Sequence, residues 1–218
     1  MANEYFKTLI AAHQGDRDSQ YALARFSEEG IGLEKDMEQA VFWYRRAALQ
    51  NHEPSLAKCR ELNISLHLTP PDRETARREL RCRMYPLDTL PDYKFVVLCS
   101  RYRDKWLFSR HKKRSTWETQ GGHIEPGETP MDCAKRELFE ESGVQDAQII
   151  PVCDYWGFDD YGFANGVVFL AIVHSLGDLP ESEMKETGLF EELPENLTYP
   201  MVTPVLCREA ENRLKKRI

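Results

Sequence analysis

Hydrophobic and polar residues follow different periods in the two parts of this chain. Residues 1 to about 66 predict helices throughout, because the first proline is Pro54 and the few glycines stand at turn positions. Lys94–Cys99 is a short apolar run with two adjacent valines, which predicts a buried strand. A polar turn at 101–105 and a second apolar run at 106–110 complete a predicted hairpin.

The stretch from Gly121 to Val144 predicts a glycine turn followed by a capped helix. Thr129 suits the N-cap, Pro130 suits the first helical position, and Gly143 is placed to end the helix in a left-handed turn. Three glutamates on this helix fall at i, i+3 and i+4, so their side chains share one face: Glu137, Glu140 and Glu141. Such a face is either a solvated acidic surface or a binding site for a hard divalent cation such as Mg²⁺.

The remainder of the chain predicts two long strands, an acidic loop, a short strand and a closing helix. These elements fall, in this order, at Ala147–Phe158, Gly166–His174, Asp178–Gly188, Leu189–Phe190 and Tyr199–Arg217. Strands gathered around one functional helix, with a second helix at the end, suit a mixed sheet that lies between helices. The predicted fold class is therefore α/β.

Composition narrows the classes of function. The 218 residues are 41% hydrophobic and 30% charged, as in ordinary soluble proteins, and the net charge of -7 disfavours binding of a nucleic-acid polymer. No apolar run approaches membrane-spanning length, and residues 1–14 lack the pattern of a signal peptide. The six cysteines are scattered without a C-x-x-C pair, which predicts reduced thiols in a cytoplasmic protein that has no membrane contact.

The helical part carries a pattern of small and aromatic residues within Ser19–Glu53. This pattern resembles one Sel1-like repeat, a helix-turn-helix unit of the tetratricopeptide type, at Tyr21, Leu23, Gly30, Gly32, Asp36, Ala40, Trp43, Tyr44, Ala47 and Ala48. A single repeat cannot bury its apolar face alone, so we expect residues 1–68 to pack on the following domain, a second subunit or a protein partner. The alternative is an N-terminal cap that only covers apolar surface.

Two prolines, Pro70 and Pro71, stop helix formation and hold the chain extended. They predict a linker at 69–76 between a small all-helical domain at 1–68 and a second domain at 77–218. Arginines dominate the sequence after the prolines and predict a solvated helix face: Arg73, Arg77, Arg78, Arg81 and Arg83.

The densest basic cluster of the chain is His111–Arg114, just before the glycine turn. One interpretation is that Arg110 or Arg114 contacts the phosphates of a substrate, because the guanidinium group suits phosphate geometry. The alternative is that the cluster only contributes to solubility. The short distance in sequence to the acidic helix favours the phosphate contact.

The spacing of fixed residues around the acidic helix resembles the Nudix box at every defined position. Gly122 is followed after five residues by Glu128, and after seven more by Arg136-Glu137-Leu138-x-Glu140-Glu141-x-Gly143-Val144. The resemblance implies an α/β/α sandwich with a mixed sheet. It also implies hydrolysis of a nucleoside diphosphate linked to another group, with Mg²⁺ or Mn²⁺ bridging box glutamates and phosphate oxygens.

The resemblance also implies roles for individual residues. Glu137, Glu140 and Glu141 are the expected metal ligands, and the carbonyl of Gly121 is a further one. Arg136 is expected to orient Glu137 and to pair with Glu140. Two structural box residues complete the set, with Glu128 bracing the loop against the helix and Gly122 allowing a sharp backbone turn beside the metal.

The general base and the substrate are less closely defined. In several Nudix enzymes the base follows the late strands, which points to Glu183 and Glu186, with Glu141 as the competitor inside the box. The Trp117-Glu118 lead-in resembles the MutT branch, which acts on nucleoside triphosphates such as 8-oxo-dGTP, and makes Trp117 a candidate substrate contact. Gln120, however, stands where that branch usually has proline.

The sequence is also consistent with other substrates and with a different class of function. Tyr161 lies seventeen residues after Val144, where a tyrosine marks dinucleoside polyphosphate hydrolases, and it is a candidate substrate contact. Two aromatic pairs are candidates for stacking on a base, although core packing is the commoner role: Trp156 with Phe158, and Tyr161 with Phe163. A different class of function is a nucleotide-sensing module that the Sel1-like segment docks to a partner protein.

Overall fold

The computed structural model describes residues 2–32 and 34–216 of the chain, which form two compact units. The first unit comprises the chain up to Pro70 together with Thr89–Pro91. The second comprises Pro71–Asp88 and the chain from Asp92 onwards. None of the helices in the described ranges combines the length and the hydropathy that crossing a bilayer requires.

The first unit is helical, as predicted, and its helices are capped by side chains that the sequence supplies at their starts. Asp16 accepts a hydrogen bond from the backbone N–H of Ser19 at 2.7 Å, and Asp36 accepts one from Gln39 at 3.1 Å. Trp43 is fully buried in the helix that Asp36 caps. The helices are α1 (Ala2–His13), α2 (Arg17–Glu29), α3 (Met37–Ala48) and α4 (Glu53–Glu61).

The second unit contains a mixed sheet, which confirms the predicted α/β class. The strands pair in the order β1-β5-β6-β2-β3-β7, with β4 also paired to β2, and β2 runs parallel to β6 while the other pairs are antiparallel. Its elements are α5 (Arg73–Glu79), β1 (Arg81–Tyr85), β2 (Tyr93–Tyr102), β3 (Lys105–His111), β4 (Gln120–His123), α6 (Pro130–Ser142), β5 (Val144–Phe158), β6 (Phe163–Leu176), β7 (Met184–Phe190) and α7 (Thr203–Lys215).

Helices α6 and α7 cover opposite faces of this sheet. On β6, Val167 and Phe169 belong to the core that contains α6, whereas Val168 and Leu170 belong to the core that contains α7. This alternation follows from the period of two along a strand, and β6 is apolar on both sides because both of its faces are buried. The α/β/α sandwich that the Nudix resemblance implies is therefore confirmed.

Strands β1 and β4 were not predicted, and β7 was predicted only at its end; β1 and β7 lie at the edges of the sheet. The arginines Arg81 and Arg83 stand in β1 and not on a solvated helix face, and Arg81 pairs with Asp160 at 2.8 Å. The predicted acidic loop is also wrong in its second half, because β7 begins at Met184 and Leu189–Phe190 ends it. Edge strands are often short and charged, so neither segment shows the apolar alternation by which a strand is recognised.

Candidate functional site

Helix α6 begins and ends where its capping residues predict. The hydroxyl of Thr129 accepts a hydrogen bond from the backbone N–H of Asp132 at 3.2 Å, and Pro130 is the first helical residue. Gly143 adopts φ 74° at the C-terminus, a left-handed conformation that glycine takes without steric cost. Ala134 and Leu138 are buried against the sheet, and Glu141, three residues after Leu138, lies beside them on the same side of the helix.

The three glutamates of α6 lie at different depths. The side chain of Glu140 is 50% exposed and that of Glu137 is 12% exposed, whereas Glu141 is only 6% exposed. The carboxylates therefore run from solvent into the interior along one edge of the helix, and the face is not a uniformly solvated acidic surface.

Arg136 connects the helix to the preceding loop. Its guanidinium group donates two hydrogen bonds of 2.9 Å to Glu128 and one of 2.7 Å to Glu137, and it lies 3.4 Å from Glu140. A further bond reaches the carbonyl of His123 at 3.1 Å. The Arg136 hydrogen bonds lower the pKa of Glu128 to about 2, so this carboxylate stays ionised at neutral pH.

Gly121 and Gly122 lie in strand β4, so the predicted sharp turn at these residues is wrong. They pair with Val97 and Val96 of β2. The sequence needs glycine here because of close approach: a Cβ on Gly122 would stand 1.9 Å from Oε1 of Glu137. A Cβ on Gly121 would likewise stand 2.3 Å from the carbonyl oxygen of Val96. Gly122 therefore lets the side chain of Glu137 pack directly on β4, and Gly121 lets β4 lie close to the backbone of β2.

Glu141 is the most perturbed carboxyl of this region. Burial raises its pKa to about 9, the N–H of Gly121 opposes this through a 2.8 Å hydrogen bond, and nearby Glu137, Glu118 and Glu183 raise the pKa further. Burial also raises the pKa of Glu137, although the hydrogen bond from Arg136 acts in the opposite direction. A buried carboxyl among like charges is suited to a nearby cation, because a cation would stabilise its ionised form.

A cavity of about 640 Å³ opens beside Glu141. Strand β2 pairs with β4 through its first half and with β3 through its second half, so the sheet divides at this point. Polar groups in its wall include Gly121, Glu141 and Glu183. The wall also contains five aromatic residues: Phe95, Tyr155, Tyr161, Phe163 and Tyr199.

Of the expected metal ligands, Glu137 and Glu140 do not line this cavity, and neither do Arg110, Trp117 and Glu186. Arg110 donates to Glu186 at 2.9 Å and its guanidinium carbon lies 4.8 Å from the ring centroid of Trp117. Trp117 in turn packs edge-on against Phe190 at 5.0 Å, as part of the core on the α7 side. Glu186 lies within β7 and not in a loop, which corrects its predicted setting.

Glu183 lies at the rim of the cavity and is held there by the end of β3. Its carboxylate is 3.4 Å from Nε2 of His111, and its backbone carbonyl accepts a hydrogen bond from Lys112 at 2.9 Å. Nδ1 of His111 accepts from the backbone N–H of Lys113 at 2.9 Å, so a neutral His111 carries its proton on Nε2, towards Glu183.

Glu118 was missed from the sequence, and one aromatic pair that was a candidate for base stacking does not line the cavity. Glu118 is 5% exposed and ion-paired with Arg114 in the cavity wall; burial raises the pKa of Glu118, while the charge of Arg114 opposes this. Trp156 and Phe158 stack on each other at 4.0 Å and are fully buried, so the idea that they stack on a base is wrong. Tyr161, 39% exposed, keeps that possibility.

Arg114 is part of the cavity wall, whereas Arg110 is not. Within residues 2–32 and 34–216, no three His, Cys, Asp or Glu side chains converge closely enough to form a complete metal cage. At the edge of α6, the carboxylates of Glu141 and Glu137 are held by hydrogen bonds from Gly121 and Arg136.

Two family models match different segments of this chain. The family model of the NUDIX domain matches residues 90–200, and that of the Sel1 repeat matches residues 17–52. YtkD of Bacillus subtilis (strain 168), provisionally named an 8-oxo-dGTP diphosphatase, is 30% identical over 114 residues, which are 52% of this chain and 70% of YtkD. An RNA pyrophosphohydrolase of Blochmanniella pennsylvanica (strain BPEN) is 36% identical over 63 residues, which are 28% of this chain and only 40% of that relative.

Among solved structures, a crystal structure of the Bacillus subtilis pyrophosphohydrolase BsRppH has a similar fold. Its TM-score is 0.53 at 23% sequence identity, and the alignment covers 62% of this chain and 90% of that one. The fold, the matched family model over half of the chain and the relative YtkD agree with one another. The chain belongs to the NUDIX domain family.

Proposed function

We propose that the second unit is a divalent-metal-dependent hydrolase that cleaves a pyrophosphate bond in a nucleoside diphosphate-linked substrate. The best candidate is a nucleoside triphosphate pyrophosphohydrolase of the 8-oxo-dGTP type. One observation supports the proposal most strongly: Glu141 is buried in the wall of a cavity, with its pKa raised to about 9, beside Gly121 and Glu137. A carboxyl in this setting is suited to binding a cation.

The donors at the helix edge fit Mg²⁺ or Mn²⁺. Glu137, Glu140 and Glu141 would hold the ion together with the carbonyl oxygen of Gly121, and these are the hard oxygen ligands that Mg²⁺ takes. Sites for Mg²⁺ often combine one or two carboxylates with substrate phosphates, so a complete protein cage is not required. When bound, such an ion neutralises phosphate charge and lowers the pKa of a water molecule.

The remaining box residues hold these donors in place. Arg136 bonds Glu137 at 2.7 Å and is itself fixed to the loop through Glu128, so the carboxylate of Glu137 cannot reorient without breaking an ion pair. The N–H of Gly121 bonds Glu141 at 2.8 Å and fixes the deepest ligand against β4. Orientation by neighbouring donors of this kind tunes metal affinity.

Glu183 is the general base that we favour. It lies in the cavity wall with Glu141, whereas Glu186 is paired with Arg110 outside that wall. His111 would keep the carboxylate of Glu183 at the cavity wall, where it can accept a proton from an attacking water. Glu141 is the competitor for this role, and its hydrogen bond to Gly121 favours a ligand role instead.

The cavity also suits a nucleotide. Its volume of about 640 Å³ is in the usual range for small-molecule sites, and its wall offers Tyr161 and Phe163 to a base. Arg114 also lines the cavity and is the residue that we propose as a phosphate contact. The names of YtkD and the RNA pyrophosphohydrolases support a pyrophosphate bond as the target.

Two alternatives have specific support. Tyr161 in the cavity wall favours a dinucleoside polyphosphate as substrate, by the family marker at this position. The Sel1 repeat at 17–52 favours docking of a protein partner or a second copy of the chain through residues 1–68, with the NUDIX domain as a nucleotide sensor. Light scattering of the intact protein separates a homodimer from a monomer that awaits a different partner.

A substrate panel tests the proposed function. Purified protein is incubated with Mg²⁺, Mn²⁺ or EDTA and with nucleoside triphosphates including 8-oxo-dGTP, dinucleoside polyphosphates, nucleotide sugars and a 5′-triphosphorylated RNA. Phosphate, pyrophosphate and monophosphate are measured as products. We expect metal-dependent release of pyrophosphate from a nucleoside triphosphate. Binding of nucleotides without cleavage of any of them would contradict the proposed hydrolase and favour the nucleotide-sensing module.

A further inference from the structure

A buried chain of hydrogen bonds links the sheet to the end of α6. The hydroxyl of Ser100 donates to Oε1 of Gln120 at 2.7 Å, and Nε2 of Gln120 donates to the hydroxyl of Ser109 at 2.9 Å. The hydroxyl of Ser109 then donates to the carbonyl oxygen of Glu141 at 2.7 Å. The three linking side chains are at most 1% exposed, so water does not compete for these bonds.

Each polar group in this series of hydrogen bonds has a partner. The amide nitrogen of Gln120 has a second acceptor in the carbonyl of Leu107 at 3.3 Å, and its amide oxygen accepts from Ser100. The carbonyl of Glu141 lies in the last turn of α6, where the helix itself supplies no donor. Ser109 supplies that donor from strand β3, and so the end of the helix is fixed to the sheet.

Glu141 is thereby held at two points. Ser109 binds its backbone carbonyl, and the N–H of Gly121 binds its carboxylate at 2.8 Å. Gln120 immediately precedes Gly121 in β4 and also holds Ser109, so one residue connects both attachments. A shift of Gln120 would therefore move the carboxylate of Glu141 relative to Gly121.

We propose that Gln120 and Ser109 are positioning residues that set the place of Glu141 for divalent-cation binding. The inference rests on the proposed function, because it assigns a purpose to the position of a metal ligand. A buried amide is costly unless it is fully hydrogen-bonded, and an apolar residue would fill the same space without that requirement. The satisfied network gives α6 one defined position on the sheet, which an apolar contact specifies less sharply.

Binding of Mn²⁺ to the nucleotide-free protein tests this role, with hydrolysis as a second readout. We expect Ser109→Ala to weaken Mn²⁺ binding by about tenfold, the effect typical of losing a group that orients a metal ligand. Gln120→Leu should act in the same direction. Because the two residues act in series, the double variant should be no weaker than the weaker single variant, whereas Ser109→Thr, which keeps a hydroxyl, should regain most of the affinity.

Ser142→Ala is the matched control. Its hydroxyl is also buried and one residue from Glu141, but it bonds the carbonyl of Leu138 within the same helix. Wild-type affinity in Ser142→Ala together with weak binding in Ser109→Ala supports the inference. Equal Mn²⁺ affinity in Ser109→Ala and wild type, with only a lower Tm, overturns it. A wild-type protein that neither binds Mn²⁺ nor cleaves any phosphoanhydride overturns the proposed function instead, and the inference with it.

Discussion

Arg136 and Glu128 form a two-pronged ion pair, in which Nε and Nη2 of the arginine each donate to a different carboxylate oxygen at 2.9 Å. The pair joins the loop after β4 to the middle of α6, and the same guanidinium group reaches Glu137. Lysine cannot reproduce this geometry, because an ammonium group lacks the planar fork of donors. The sequence spacing of Glu128 and Arg136 thus has a direct structural meaning.

The pair predicts a specific dependence of stability on pH. The pKa of Glu128 is lowered from 4.5 to about 2, so its stabilising contribution is complete above about pH 4.5 and is lost as the pH falls towards 2. Urea unfolding of wild type and Glu128→Gln at a series of pH values measures this. The difference in unfolding free energy should be constant from pH 7 to 5 and shrink below that. A difference that does not change with pH would mean that the ion pair is not the source.

Substitutions at the two glycines of β4 should separate activity from stability. In Gly122→Ala the new methyl group meets the carboxylate of Glu137, a side chain that can move, so we expect loss of hydrolysis with little loss of stability. In Gly121→Ala the methyl group meets the backbone carbonyl of Val96, so we expect a loss of about 2 kcal/mol in unfolding free energy.

Gly127→Ala is the control for the cost of φ alone, since Gly127 has φ +86° and no neighbour within 4 Å of the added atom. It should keep activity and lose only about 1 kcal/mol of stability. Thermal melting and initial rates for the three variants are sufficient. Full hydrolysis by Gly122→Ala would show that the position of Glu137 is not critical.

Much of the fold followed from sequence periodicity. The hairpin of β2 and β3, the long strands β5 and β6 and the closing helix are apolar at the expected spacing, because they are buried on at least one face. Helix α6 followed from its caps, Thr129 and Gly143, which mark a helix without reference to tertiary contacts. Strand β1 and most of β7 did not follow, because charged residues interrupt their apolar pattern, and β4 did not follow because its two glycines indicate a turn.

The site was only partly predictable for a related reason. Box glutamates are recognisable by their spacing, but the depth of Glu141 depends on how α6 packs on β4, which no local pattern encodes. Arg110 and Arg114 are four residues apart in a single basic segment, yet only Arg114 reaches the cavity. Gln120 is recognisable in the sequence only as a residue that replaces the usual proline. Its hydrogen bonds to Ser100 and Ser109 depend on tertiary contacts that the sequence pattern does not encode.

Thiol reactivity provides a test of the core that is independent of catalysis. Burial raises the pKa of Cys82, Cys133 and Cys153 to about 12, so only about one thiol in 10,000 is ionised at pH 8. A disulfide reagent such as DTNB should therefore react slowly with these thiols in the native protein and rapidly with all six cysteines in guanidinium chloride. Fast reaction of Cys133 in the native state would mean that α6 does not pack on the sheet as described.

The choice of base can be tested with two isosteric variants. We expect Glu183→Gln to lower kcat by about 100-fold, the usual effect of losing a general base, with a small change in KM. Glu186→Gln removes the partner of Arg110 outside the cavity. It should lower the melting temperature and reduce kcat by much less than Glu183→Gln does. Steady-state kinetics and melting curves for both variants decide the matter. The reverse ranking of the two kcat values would assign the base to Glu186.

The most direct test of the central claim is the rate of Mg²⁺-dependent pyrophosphate release by Glu140→Gln compared with Glu211→Gln. Both glutamates lie on helices with similarly exposed side chains, 50% for Glu140 and 42% for Glu211, and glutamine is tolerated well in a helix. We predict at least about a 100-fold loss of rate for Glu140→Gln with an unchanged melting temperature, and no loss for Glu211→Gln. Wild-type rates in Glu140→Gln at the same Mg²⁺ concentration would contradict the assignment of the α6 carboxylates as metal ligands.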